Sequence, residues 1–410
     1  MRRTQHRNGF VERSQFAQEL SDFGAWLEAG DYSATAVRRH VIRLYEVLRE
    51  IGGVPCAIYS PDQLSAAIDK HDATRQQLID FRTTQHHFQR YLASRGRLAV
   101  PLITDRFAEL RKRYVQELVE VRGFADSTVR QHAATVGDFL KRGLGPRREL
   151  RSLRREDIEC FIALKSKENR RQSLQHVVAA MRAFLGYCHD QGEVATELDV
   201  IDTPRTYRGE LLPRALEWSA IQKLLRSIDR SKGAGERDYA ILHLMAHYGL
   251  RPCEITALRV DSINWRDSTL RVEQRKTRSD LVLPLAGVTV KTLRRYLDHD
   301  RGYDIRKHPE LFLRNHCPHR GLKRTAISEM FALRAQACGL GRRTYSPYSL
   351  RHAFAMRLLS RGVGIKAIGD VLGHRDLEST CVYLRLDVQA LRGVALPVPR
   401  SGRGREAHHV

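Results

Sequence analysis

The segments YSPYSLRHAFAMRLLSRG (345–362) and IGDVLGHRDLESTCVYLRL (368–386) decide how this chain reads. Apolar residues return every three or four positions, which predicts helices over 349–361, 364–372 and 377–392. These stretches also carry groups that an apolar stripe does not need: Arg351, His352, His374 after a glycine, and Tyr383 nine positions beyond His374. Upstream, HYGLRPCEITALRVDSINW (247–265) predicts the end of a helix over 235–249 and a new one over 252–259, with Pro252 tolerated in its first turn. Within VEQRKTRSDLVLPL (272–285), the alternating runs TLRVEQ (269–274) and LVLPL (281–285) flank the polar turn RKTRSD, a hairpin pattern. Further helices are expected over 217–228, 288–299 and 325–338.

In this order the four segments resemble the tyrosine site-specific recombinases, or phage integrases, over about residues 210–395. The resemblance implies that Arg251 and Arg351 are the catalytic arginines, Lys276 the lysine of the β2–β3 turn, His374 the histidine of Leu-Gly-His, and Tyr383 the nucleophile. Tyr348 stands three residues before Arg351, where the family usually keeps a histidine. Glu254 and His352 take supporting roles: the acid orients Arg251 by pairing, and the imidazole is a hydrogen-bonded structural group. The fold implied is mainly α. Helical N-terminal units, with a SAM-like core-binding domain over 105–200, precede a mixed, mostly helical catalytic domain with a small antiparallel sheet over 215–395. The partners implied are double-stranded DNA and sister protomers. A homotetramer, or a hetero-tetramer with a related recombinase, would exchange strands between two sites through a Holliday junction. Residues 387–410 would pack against a neighbouring protomer and gate the nucleophile.

The residue types suit that chemistry. A phenol that attacks a phosphodiester keeps the strand as a phosphotyrosine ester, so the bond energy is conserved without a nucleotide cofactor. Two guanidiniums hold non-bridging oxygens in bidentate fashion and remain charged at any relevant pH. They stabilise the charge that builds on phosphorus. A lysine on a turn protonates the leaving 5′ oxygen. A phenol titrates near pH 10 and an imidazole near 6.5, so Tyr348 is a poor general base and the identity of the proton acceptor stays open. No cluster of Asp and Glu is placed to hold Mg²⁺, so neither metal nor cofactor is expected. His243 and His247 lie four apart but lack the glutamate of HExxH, and His316-Cys317-Pro318-His319 has no second ligand pair; both read as structural.

The rest of the chain agrees. Its 410 residues carry 70 Lys+Arg against 47 Asp+Glu, a net charge of +23 that points to a polyanionic partner. Residues 1–100 form a helical unit whose VRRHVIRL (37–44) finds a counterpart in VRQHAATV (129–136), and Tyr91 one in Tyr187. This suggests a repeated helical plan with basic, phosphate-facing helices. A linker is expected over 201–214 and a disordered basic tail over 396–410. The odd set of seven cysteines without CxxC reads as reduced thiols. No apolar run approaches a membrane span and the basic start lacks a secretory core, so a cytoplasmic, nucleoid-associated protein is expected. Two rivals remain: a type IB topoisomerase with the same phosphotyrosine chemistry, and a DNA-binding regulator whose active site has decayed.

Overall fold

The computed structural model describes residues 14–386 except 53–57, 72, 100–105, 146–147, 195–196, 204–213, 232, 275–278, 303–306, 342–344 and 375. Most of the expected linker, Lys276 with the hairpin tip, and everything after 386, including the tail over 396–410, lie outside the described residues. Residues 1–99 and 211–410 cluster as one compact unit, and residues 100–210 as a second.

The first unit begins with four helices, α1 (Ala17–Ala29), α2 (Ala34–Gly52), α3 (Pro61–Asp69) and α4 (Arg75–Ser94). Sequence sets their starts. Ser60 and Gln63, and Thr74 and Gln77, satisfy one another's first-turn amides as reciprocal capping boxes, with Pro61 at the first position of α3. Phe16, Leu20, Phe23 and Leu27 of the first apolar stripe pack with Phe88, Tyr91 and Leu92. The carbonyl of Asp31 accepts from Cys317 Sγ at 2.8 Å, which ties the α1–α2 turn to the 316–319 loop.

The second unit repeats the order of helices: α5 (Ala108–Glu120), α6 (Asp126–Asp138), α7 (Arg155–Glu168) and α8 (Arg171–Asp190). Helix α6 gives way at Phe139 to a π turn, Phe139–Leu144. The matched Val-Arg-x-His segments fold alike. Val37, His40, Val129 and His132 are buried, while Arg38 and Arg130 face solvent. The histidines find different partners: His40 Nδ1 meets Thr84 Oγ1 at 2.9 Å, and His132 Nδ1 meets the Tyr114 hydroxyl at 3.0 Å.

Past residue 213 the first unit resumes with α9 (Trp218–Arg226), α10 (Gly235–Tyr248) and α11 (Pro252–Ala257). Strands β1 (Ile263–Asn264), β2 (Thr269–Gln274) and β3 (Ser279–Pro284) form an antiparallel sheet in chain order, with Leu270 opposite Ile263 and Leu283. The strand β1 is absent from the sequence reading, since two residues carry no period. Then follow α12 (Gly287–Tyr296), α13 (Arg324–Ala337), α14 (Tyr348–Leu359) and α15 (Ile365–Leu372). The central helix α10 is buried on nearly every side, and its two acids are neutralised in place. Glu236 pairs with Arg230 and Arg295, and Asp238 with Arg237 and Arg334, which pins α10 to α12 and α13.

The helix expected over 377–392 is a correction. Among its described residues, 377–386, only Glu378–Cys381 (α16) is α-helical, followed by a 3₁₀ turn at Leu384–Leu386, and residues 387–392 lie outside the described residues. Asp376 Oδ1 accepts from the Ser379 amide at 2.7 Å to start the turn, and Tyr383 N bonds Thr380 O at 3.0 Å, a three-residue step that tightens the chain. The tightening carries Tyr383 inward, among Ala355, Ile368 and Leu372. A straight amphipathic helix would have left it on a face.

Candidate active site

Helix α10 ends because Gly249 adopts a left-handed φ of +65°, and a β-carbon there would lie 2.6 Å from Phe354 and 2.8 Å from Leu372. The reversal delivers Arg251 to the start of α11. Glu254 holds it twice: one carboxylate oxygen accepts from the Arg251 main-chain N–H at 2.8 Å, the other from Nη1 at 2.6 Å. Arg251 Nη2 also lies 3.5 Å from the Gly373 carbonyl.

Arg351 projects from α14 and is only 4 % exposed. Its Nη1 donates to the Gly249 carbonyl at 2.7 Å and its Nη2 to the Leu372 carbonyl at 2.6 Å. Burial, with Arg251 adding repulsion, lowers its pKa to about 10, still far above neutrality. Both guanidiniums thus brace the same turn, Leu372-Gly373, that precedes His374. That turn needs its glycine: Gly373 has φ +62°, and a β-carbon would overlap the Gln274 amide at 1.9 Å. Gln274 faces inward because β2 alternates, with Leu270, Val272 and Gln274 on its buried face. The sheet thus reaches the site through Gln274.

His374 Nδ1 bonds Thr380 Oγ1 at 2.7 Å, which leaves Nε2 as its second bonding position. Burial first, then Arg351 and Arg251, lowers its pKa to about 4. Tyr383 is 2 % exposed, and its ring lies 6.5 Å from that of His374 at an interplanar angle of 12°. Burial raises the Tyr383 pKa, opposed by Arg351 and Arg251. The Tyr383 hydroxyl is 3.1 Å from His352 Nδ1. Burial and Arg351 lower the His352 pKa to about 4 as well. Tyr348, at the first position of α14, is 39 % exposed, and its pKa is raised by burial and Cys253.

Of the residues singled out in the sequence, Arg251, Glu254, Tyr348, Arg351, His352, His374 and Tyr383 therefore surround one site; Lys276 lies outside the described residues. Three participants escaped the sequence reading. They are Thr380, Gln274 and the carbonyl of Gly249, whose neighbours in the site are set by the packing of separate elements rather than by a sequence period. His352, read as a structural histidine, touches the hydroxyl of Tyr383 directly.

The other histidine groups have structural partners. His243 Nε2 meets Thr289 Oγ1 at 2.9 Å, and His247 stacks on His243 with ring centroids 4.3 Å apart. His319 Nδ1 bonds the Arg314 carbonyl at 2.9 Å. Among the described residues no group of three or more His, Cys, Asp or Glu is arranged to hold a metal ion, and no helix is long and apolar enough to cross a membrane.

Comparison with known proteins gives the class of enzyme. The model of the phage integrase family matches residues 214–390. The integrase/recombinase y4gC of Sinorhizobium fredii is 40 % identical over 193 residues, 46 % of this chain and 97 % of that protein. The y4rA protein of the same organism, described as an integrase/recombinase, is 28 % identical over 394 residues, 92 % of this chain and 93 % of its own length. Among solved structures, the XerH site-specific recombinase bound to palindromic difH substrate, a post-cleavage complex, aligns over 74 % of this chain and 92 % of its own with TM-score 0.55 and 17 % identity. The chain belongs to the phage integrase family of tyrosine recombinases.

Proposed function

We propose that this chain is a site-specific DNA recombinase that cuts and rejoins strands through a 3′-phosphotyrosine at Tyr383. Arg251 and Arg351 bind the scissile phosphate and stabilise its pentavalent charge, and His374 hydrogen-bonds the same group through Nε2. Lys276 protonates the leaving 5′ oxygen. The carrying observation is that two guanidinium forks are fixed to the turn before His374, with the Tyr383 ring packed beside that histidine. Family membership and the net charge of +23 support DNA as the substrate. By the same analogy the active form is a tetramer on two DNA sites, of one chain or of this chain with a related recombinase. Residues 387–410 gate the nucleophile, residues 1–100 and 105–200 act as two helical DNA-binding units ahead of a catalytic domain over 215–395, and the work is done on the nucleoid in the cytoplasm.

The test uses duplexes tiled across the DNA that flanks the reading frame, each nicked so that the cut end diffuses away. The wild-type chain is expected to become covalently joined to one of them, and a plasmid carrying two copies of that duplex to recombine. Relaxation of a plasmid without the duplex would favour a type IB topoisomerase. Binding without any adduct would favour a regulator.

A further inference from the structure

Tyr348 occupies the place of the family's usual proton-accepting imidazole, yet burial makes its phenol harder to ionise than usual. Its hydroxyl forms no hydrogen bond with another described residue. An attacking tyrosine whose own pKa is raised needs an acceptor at hydrogen-bond distance. The structure offers one.

We propose that His352 is the proton acceptor for Tyr383. The imidazole sits one residue after Arg351 on α14, and its Nδ1 lies 3.1 Å from the reacting oxygen. The ring centroids of the pair are 5.7 Å apart, with no spacer between the heteroatoms. The charged and titratable groups around the pair are Arg351 on the same helix, Arg251 at the start of α11 and His374 after α15. Burial first, then Arg351, keeps His352 from holding a proton before reaction, so that Nδ1 presents a lone pair and Nε2 carries the ring proton. As DNA brings a phosphate to Arg351, its positive charge is neutralised and the imidazole becomes a stronger base at the moment it is needed.

The step balances. The Tyr383 O–H proton passes to His352 Nδ1 while the oxygen forms its bond to phosphorus. The bond from phosphorus to the 5′ oxygen breaks, and that oxygen takes a proton from Lys276. On rejoining, the 5′ hydroxyl returns its proton to Lys276, the phosphotyrosine bond breaks, and His352 gives its proton back to the departing phenolate. The pair therefore acts as acceptor in cleavage and donor in religation, as microscopic reversibility requires.

This assignment rests on Tyr383 being the nucleophile, and its test separates the two claims. The probe is the duplex identified by tiling, remade with a bridging 5′ phosphorothiolate at the cut site. Sulfur leaves without a proton, so adduct formation reports on deprotonation of the tyrosine alone. For the wild-type chain the adduct rate is expected to stay level from about pH 6 to pH 8, because the acceptor is already unprotonated there. His352→Gln keeps a hydrogen-bonding side chain but cannot accept a proton. It is expected to lose about 100-fold or more at neutral pH and to rise about tenfold per pH unit, since only spontaneously ionised phenol then reacts. Tyr348→Phe is expected to keep the level profile. A histidine that merely positions the phenol would lower the rate without tilting the profile.

A His352→Gln chain with the wild-type rate and a level profile would overturn the assignment and leave the nucleophile untouched. A steep profile in Tyr348→Phe would move the proton to Tyr348 and overturn it as well, a readout that does not depend on His352→Gln folding. No adduct with the wild-type chain would remove the nucleophile and this assignment together.

Discussion

The two halves of the site are built on different terms. On the arginine half, Arg351 spends both terminal nitrogens on main-chain carbonyls and Arg251 is held at its amide and its guanidinium by one carboxylate. On the nucleophile half, Tyr383 is held by a single described side-chain hydrogen bond, to His352, and His374 beside it by one to Thr380. Charge stabilisation gains from donors that need no reorganisation when the transition state forms, so that half is fixed. Groups that pass protons or form the covalent bond must exchange partners during the reaction, so single, breakable bonds suit them. The cost of losing a residue should follow this division.

The largest effect is expected on the fixed half. Arg351→Ala removes the fork proposed to hold the phosphate and leaves the Gly249 and Leu372 carbonyls without the donor Arg351 supplies. Cleavage should fall by about 10²–10³-fold, roughly 3 kcal/mol or more of transition-state stabilisation. Gel-shift affinity, carried mainly by other basic residues, should change little. A loss under about tenfold in single-turnover cleavage would break the division.

A smaller effect is expected at Thr380. Thr380→Val keeps the shape and removes the bond to His374 Nδ1, worth about 1 kcal/mol, so cleavage should drop by about fivefold to tenfold. Thr380→Ser restores the hydroxyl and should lie near the wild type. Equal activity of the valine and serine chains would show that the bond does not orient His374.

The smallest effect concerns stability, and only the histidine half feels it. His352 and His374, with His40, His87 and His243 elsewhere, have pKa values lowered to about 4 from the unfolded value near 6.5. The folded state refuses protons that the unfolded chain accepts. Stability from this source is therefore complete above about pH 6.5 and is lost progressively as pH falls toward 4. Calorimetry should record a falling Tm between pH 7 and pH 4.5. The double variant His352→Gln, His374→Gln should show a shallower decline, and an unchanged slope would contradict the assigned burial.

What the sequence made legible follows the same line. Arg251 and His374 could be read because each follows a glycine that ends a helix, Gly249 and Gly373, and Arg351 because it stands within Leu-Arg-His on α14. Tyr383 could be read from its distance to His374. Thr380 and Gln274 could not, because their partners are set by how α15, α16 and β2 come together rather than by any period. The helix over 377–392 was overextended for a related reason. Apolar spacing does not distinguish a tyrosine on a helix face from one drawn inward by a three-residue step. Two-residue β1 and the π turns at Phe139–Leu144 and Leu297–Arg301 are too short or too close to α periodicity to leave a pattern.

Two tyrosines, Tyr348 and Tyr383, stand near the same arginines, and only one can carry the strand. Mass spectrometry of the trapped protein–DNA adduct after proteolysis and nuclease digestion decides between them. A nucleotide mass on the peptide containing Tyr383, absent in Tyr383→Phe, is the expected result. The same mass on the peptide containing Tyr348, or an adduct that persists in Tyr383→Phe, would contradict the account.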